Sequence, residues 1–276
     1  MTATAPLAPR SRSDLPFYLG FGALGGVYVT LIVAMLTADL FYTSPAHLLR
    51  ALNSPEIRYS IWLSLTSCFA TTILCLWVAV PLGYLLSRSR FPGKEIVDAV
   101  VSMIVDIPIV LPPLVIGLSL LILFQTPPGR AVQKIVPVTY AIPSVILAQF
   151  SVAAAFAVRT MRSTFDQISP RTEQVALTLG CSRSQAFWWV TFPESRRGLL
   201  TAATLAWARS LGEFGPILIF SGATRFKTEV LPTTVFLELS IGNLEAAIAV
   251  SLLMIAAAVV VLVVTRFFGL RGTGLV

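Results

Sequence analysis

Five uncharged runs, at 15–38, 59–87, 107–129, 135–158 and 246–265, dominate this chain. Each reaches the roughly 20 residues that a helix needs to cross a hydrocarbon core. A backbone in lipid must satisfy its own hydrogen bonds, so runs of this length and polarity point to helices. A sixth apolar segment, about 199–221, is interrupted by Arg209 and Glu213. The expectation is an all-α integral membrane protein with six transmembrane helices, at about 15–37, 58–87, 96–124, 138–160, 199–221 and 245–268. They form one transmembrane domain over 15–268, between a flexible cytoplasmic tail at 1–14 and a cytoplasmic tail at 269–276. Of the 276 residues, 56% are hydrophobic and 12% charged, which excludes both a disordered chain and an ordinary soluble domain.

Charge placement orients the bundle. With the N-terminus inside, the inner segments hold 13 Lys and Arg residues, from Arg10 and Arg12 to Arg266 and Arg271, and the outer segments hold six. The positive-inside rule selects this topology over its inverse. The net charge of +7 is then a topology signal. Nucleic-acid binding is the poorer explanation, because the basic residues are spread over several loops.

The most polar stretch reads EQVALTLGCSRSQAFWWVTFPESRRG, residues 173–198, within an inner loop at 161–198. Ser169 can cap a short helix, with Pro170 at its first position. Gly180 suits the left-handed residue that ends it. Ser182 and Gln185 have capping-box spacing for a second helix, and Pro193 is expected to stop that one. The second helix carries Phe187, Trp188 and Trp189. A helical hairpin with an aromatic face can dock another protein, and it can equally lie on the membrane surface.

Two apolar segments carry features that lipid alone would not tolerate. DIPIVLPPLVIGL, 106–118, holds Pro108, Pro112 and Pro113 in six residues. Each proline removes a donor and frees a carbonyl, which a membrane accepts only against protein or a water-filled cavity. Asp106 can cap the renewed helix or face a polar passage. WARSLGEFGPILIFSG, 207–222, places Arg209 and Glu213 four apart on one helical face. Gly212, Gly215 and Pro216 weaken the same helix. The pair is either a gate or wall of a translocation path, or a neutralised brace between helices.

Enzymatic chemistry has little to stand on. No phosphate-cradling G-x-x-x-x-G-K-[ST] occurs, so the chain is not itself an ATPase. The single histidine, His47, sits in an outer loop without cysteine partners and makes no metal site. Neither a catalytic triad nor a paired-carboxylate site is visible. No internal repeat speaks for an inverted-repeat carrier.

The polar loop resembles the cytoplasmic "EAA" loop of ABC-importer permeases: Glu173, Ala176, Gly180 and Pro193 keep its spacing, although the usual Glu-Ala-Ala opening is Glu-Gln-Val-Ala here. SLTSCFATTILCLWVAVPLGYLLSRSRFPGK (64–94), Asp106–Pro113, ARSLGEFG (208–215) and LELSIGNLEAAIAVSLLM (237–254) follow the order seen in the molybdate, tungstate and sulfate permease group. The resemblance covers about 58–268. It implies a permease subunit of an ATP-driven importer in the bacterial inner membrane, with both termini cytoplasmic. It implies a homodimer with the pore between protomers, separate ABC ATPase subunits that carry ATP and Mg2+, and an extracytoplasmic substrate-binding protein. The chain itself would bind no cofactor. The coupling loop would be Glu173, Ala176, Gly180, Phe187, Trp188, Trp189 and Pro193, and the path or gate Asp106, Pro108, Pro112, Pro113, Arg209, Glu213 and Gly215. A sulfate or other small-solute permease, and an ATPase-independent carrier or channel, are the alternatives.

Overall fold

A computed structural model describes residues 14–89 and 92–271. All but one residue of the tail read at 1–14, residues 272–276 of the other tail and the basic residues Arg10, Arg12 and Arg90 lie outside the described residues. The described chain is all-helical, with no strand.

Residues up to Ser44 and residues from Pro45 on form two separate compact units. The first is α1, Leu15–Tyr42. Its apolar side chains are exposed all round, as suits a helix whose solvent is lipid.

The second unit begins with a short helix, α2 (Pro45–Asn53), and the long α3 (Pro55–Arg88). Ser54 caps α3 through its hydroxyl, with Pro55 at the first position. The single helix expected over 96–124 is two: α4 (Lys94–Val110) and α5 (Pro113–Gln125), bent by 112°. Pro108 is carried inside α4; the break falls at Leu111 and Pro112, both in extended backbone. That is where the residue before a proline is pushed out of the helical region. The short α6 (Pro127–Ile135) follows, then α7 (Ile142–Gln167), which starts later and runs further than the expected 138–160.

The loop region holds α8 (Pro170–Thr178), α9 (Arg183–Ala186), a π-helical turn (Phe187–Thr191) and α10 (Phe192–Glu194). The helix expected over 199–221 is also divided, into α11 (Arg196–Leu211) and α12 (Gly215–Phe220). The chain ends in α13 (Leu231–Ser240) and α14 (Leu244–Arg271). Among the described residues, four helices, α1, α3, α7 and α14, are long and apolar enough to cross a membrane, and the bent pair α4–α5 makes a fifth if it is one span.

Helices α3, α7 and α11 form the centre. The buried face of α3 is a stripe of small residues: Ser60, Ser64, Ser67, Thr71, Cys75, Ala79 and Gly83. In lipid, helices gain nothing from hiding apolar surface from tails that are equally apolar, so close packing through small residues holds them together. Gly83 shows the need: a Cβ there would stand 2.9 Å from the backbone nitrogen of Arg162 and 3.0 Å from Met161 Cβ. Toward the loop region the core is Leu86, Val158, Met161, Phe165 and Ala202; toward the other end it is Leu63, Phe124, Val145, Ile217 and Phe220.

Candidate coupling hairpin and broken helices

The hairpin is built by local signals. Ser169 Oγ accepts from the Arg171 amide at 3.4 Å, and Pro170 opens α8. Gly180 takes φ +92°. Its amide donates to the Leu177 carbonyl and the Cys181 amide to the Ala176 carbonyl, both at 3.1 Å, which is a Schellman ending. Ser182 and Gln185 then form a reciprocal capping box, at 2.8 and 3.3 Å. Pro193 does not stop the second helix, as the sequence suggested. It lies in the first turn of α10, and helical backbone continues through a turn at Ser195 into α11. The π-helical turn directly precedes it. A wider turn there gives room where the proline ring would crowd the carbonyl four residues back.

Of the loop residues singled out, Ala176 is buried, whereas Trp188 and Trp189 are 55% and 68% exposed. Phe187 turns inward, stacking edge-on with Tyr84 of α3 at 4.8 Å. Val175 of α8 and Leu179 just beyond its end are also exposed, so both arms of the hairpin present apolar side chains.

Glu173 clasps this hairpin to the bundle. Tyr84 Oη donates to Glu173 Oε1 at 2.5 Å, and Thr191 Oγ1 donates to Oε2 at 3.2 Å. Arg88 Nε stands 3.9 Å from the same carboxylate, while its Nη2 donates to the Ile168 carbonyl at 2.6 Å. Sequence reasoning missed Tyr84, Arg88 and Thr191. A signal was present: Tyr84 and Arg88 lie four apart where the second apolar run meets a basic loop.

The broken helices meet through glycine. A Cβ on Gly215 would stand 2.9 Å from Pro113 Cβ, and one on Gly117 would stand 2.8 Å from Pro216 Cα. The proline break of α4–α5 and the glycine break of α11–α12 are therefore packed against each other. Asp106 caps neither helix; its carboxylate pairs with Arg159 Nε of α7 at 3.0 Å. Arg162, one turn on, donates to Ser102 at 2.6 Å and faces Asp98 at 3.8 Å. Arg209 Nη1 and Glu213 Oε2 are 2.7 Å apart. Among the described residues this carboxylate oxygen has no hydrogen-bond partner, so the charge of Arg209 is its compensation. Glu213 is 1% exposed, and the Arg209 side chain is 30% exposed, over the Phe156 ring.

Gln149 is a second residue that sequence reasoning passed over. Buried at the centre, it accepts from Thr71 Oγ1 at 3.0 Å and donates to the Ser210 carbonyl at 3.3 Å, joining α3, α7 and α11. A lone amide inside an uncharged run of membrane length was the available sign.

Residues 79–271 match the family described as binding-protein-dependent transport system inner membrane component. The chain belongs to this family of ABC-importer permeases. The sulfate transport system permease protein CysT of Escherichia coli (strain K12) is 31% identical over 92% of this chain and 93% of its own length. The molybdenum transport system permease protein ModB of Mycobacterium tuberculosis is 31% identical over 90% and 93%. The molybdate/tungstate transport system permease protein WtpB of Thermococcus kodakarensis is 33% identical over 75% and 79%. Among solved structures, a chain of a bacterial alginate ABC transporter superposes with a TM-score of 0.73 at 16% identity, covering 95% of this permease and 97% of that chain. The fold is thus that of type I ABC-importer permeases. Permeases of this family have neither a catalytic site nor a cofactor of their own, and they work with an ATPase and a periplasmic binding protein.

Proposed function

We propose that this permease carries a molybdate- or tungstate-type oxyanion through a homodimer, driven by a separate ATPase with its ATP and Mg2+. The observation that carries the cargo class is the likeness, at 31–33% identity over most of the chain, to permeases named for molybdenum, molybdate/tungstate and sulfate. Sulfate is the second reading, on the strength of the CysT match.

In this reading the bent α4–α5 and the broken α11–α12 each make one of six spans, and both termini are cytoplasmic. The hairpin from Ser169 to Pro193 is the coupling element. Its exposed Trp188, Trp189, Val175 and Leu179 meet the ATPase, and Glu173 with Tyr84 passes the motion to α3. A permease must have two packings, and ATP must favour one of them. The close crossing of Pro113 with Gly215 and of Gly117 with Pro216 supports a pivot at the two breaks. Asp106, Pro108, Pro112 and the Arg209–Glu213 pair border it. Backbone donors freed near Pro112, Pro113 and Gly215, or water held there, would serve an anion. Arg209 offsets the charge of Glu213, which would otherwise repel one.

The test is uptake into vesicles that hold the full complex and its binding protein, with ATP on the ATPase side. Unlabelled molybdate, tungstate and sulfate compete, and their order ranks the cargo. Competition by none of the three, with uptake of a sugar or amino acid instead, overturns the oxyanion reading. Copurification of the ATPase from native membranes checks the coupled mechanism against an ATPase-independent carrier.

A further inference from the structure

At the hairpin end of the bundle, an open cavity of about 800 Å3 lies between α7 and α11. Arg159, Ser163 and Gln167 of α7 line one side, Arg197 of α11 another, and Glu194 of α10 is the one carboxylate on the wall. Two guanidinium groups thus reach this cavity, with Glu194 on its wall and Asp106 behind Arg159.

The donors are also selective. The wall threonines Thr160, Thr164 and Thr201 spend their hydroxyl protons on carbonyls of their own helices, at 2.8, 2.8 and 3.0 Å. Ser163 differs: its Oγ accepts from Gln167 Nε2 at 3.2 Å, which leaves its own proton for a ligand. Arg159 gives only Nε to Asp106, and its side chain is 61% exposed, so its two terminal nitrogens remain for the cavity. Arg159 and Ser163 are one turn apart on the same helical face. A guanidinium fork beside a hydroxyl donor suits a tetrahedral oxyanion, and a space of this size takes the ion with part of its water.

We propose that this cavity is an oxyanion site at the hairpin end of the permease, and that Arg159 is shared between the anion and Asp106. The proposal rests on the oxyanion reading above. It has a mechanical consequence. No residue of α4 is fully buried, and Asp106–Arg159 is one of the polar ties that hold this helix to α7. An anion that draws Arg159 away loosens α4 just before its bend into α5.

The experiment uses the assembled permease–ATPase complex in lipid nanodiscs, without binding protein, and equilibrium dialysis against tungstate at low salt, with bound tungsten counted per permease chain. Tungstate bound by the ATPase is common to all variants and cancels in the comparison. Asp106→Asn frees Arg159 from its rival and should tighten binding. Arg159→Gln, and Ser163→Leu, which fills the cavity and spares the Arg159–Asp106 pair, should each weaken it. Each change should reach about fivefold, the upper end for a part-exposed charge contact. Variants are compared only as complexes that assemble and hydrolyse ATP. Binding that is the same in Ser163→Leu and Asp106→Asn as in the unaltered chain overturns the site. If uptake identifies an oxyanion cargo while these variants bind alike, this site falls and the oxyanion reading stands; if uptake identifies another cargo class, both fall.

Discussion

The hydroxyl of Tyr84, near the end of α3, donates to the carboxylate of Glu173 in the hairpin at 2.5 Å. The two residues lie 89 positions apart in sequence. This bond, with the ring contacts of Tyr84 to Phe165 and Phe187, ties the hairpin to a long helix of the bundle. Tyr84→Phe keeps the ring and removes the donor. A hydrogen bond to a charged group contributes about 1.5–3 kcal/mol, and in the proposed mechanism it joins two elements that move together. The variant should insert and bind the ATPase, yet move several-fold less substrate per ATP hydrolysed. Transport and hydrolysis measured side by side in proteoliposomes check this, and an unchanged ratio removes Tyr84 from the coupling path.

Gly180 isolates the backbone contribution. Its φ of +92° disfavours any residue with a Cβ, while nothing lies within 4 Å of where that Cβ would be. Gly180→Val should therefore distort the hairpin without a clash in the core, at a cost of about 1 kcal/mol or more. Asn tolerates this region better, so Gly180→Asn should be milder. The readout is ATPase retained on the permease after gel filtration; equal retention in Val, Asn and unaltered chains removes the argument.

How much of this was legible in the sequence differs by kind of signal. Caps are local, and Ser169, Gly180, Ser182 and Gln185 take the conformations their residue types demand. Pro193 failed as a stop because a π-helical turn absorbs it, a solution that local rules do not foretell. The proline cluster announced a break but not its size of 112°. Asp106 read as a cap or a polar-passage residue because its partner, Arg159, is 53 positions away and only tertiary packing joins them. Tyr84, Thr191 and Gln149 escaped for the same reason: their meaning lies in what they touch.

The crossing of the two broken helices should be intolerant of volume. A methyl group on Gly117 meets backbone at 2.8 Å, and one on Gly215 meets the Pro113 ring at 2.9 Å. Overpacking of this kind costs about 1–3 kcal/mol. Gly117→Ala and Gly215→Ala should each lower the thermal midpoint of the purified complex and slow transport. Gly20→Ala, where nothing lies within 4 Å, serves as the control and should do neither. A midpoint unchanged in both test variants contradicts the close crossing.

Arg209 and Glu213 should be unequal as single mutants. Glu213 is fully enclosed, and Arg209 reaches the surface with 30% of its side chain. Arg209→Ala strands a buried carboxylate, which costs about 3–5 kcal/mol when the burial is complete. Glu213→Ala leaves a cation that can turn outward, so it should be the milder change. The double variant should be better folded than Arg209→Ala alone. A double-mutant cycle on thermal midpoints tests this, and additive losses mean that the pair does not interact.

Glu229, in the segment between α12 and α13, gives the molecule a titrating weak point outside the spans. It is fully buried, and among the described residues neither carboxylate oxygen has a hydrogen-bond partner, since the nearby Thr234 hydroxyl donates to the Val230 carbonyl at 3.1 Å. Burial raises its pKa from 4.5 and outweighs the lowering by the nearby Thr234 hydroxyl and by the charge of Arg225; Glu238 and Glu56 add to the rise. The folded state therefore holds the proton at pH values where the unfolded chain has lost it. Stability then falls as pH climbs from about 4.5 toward the folded pKa, and the loss persists above it. Glu229→Gln removes the penalty. At pH 7.5 it should raise the thermal midpoint by at least about 2 °C, the effect of roughly 1 kcal/mol in a chain of this size. The gain should shrink as the pH falls toward 4.5 and vanish well below it, where the carboxyl is neutral in both folded and unfolded chains. Melting curves of the purified complex across this range decide it: a Gln variant that is less stable at pH 7.5, or a gain that does not depend on pH, shows that Glu229 is held as a carboxylate by partners it does not have in this structure.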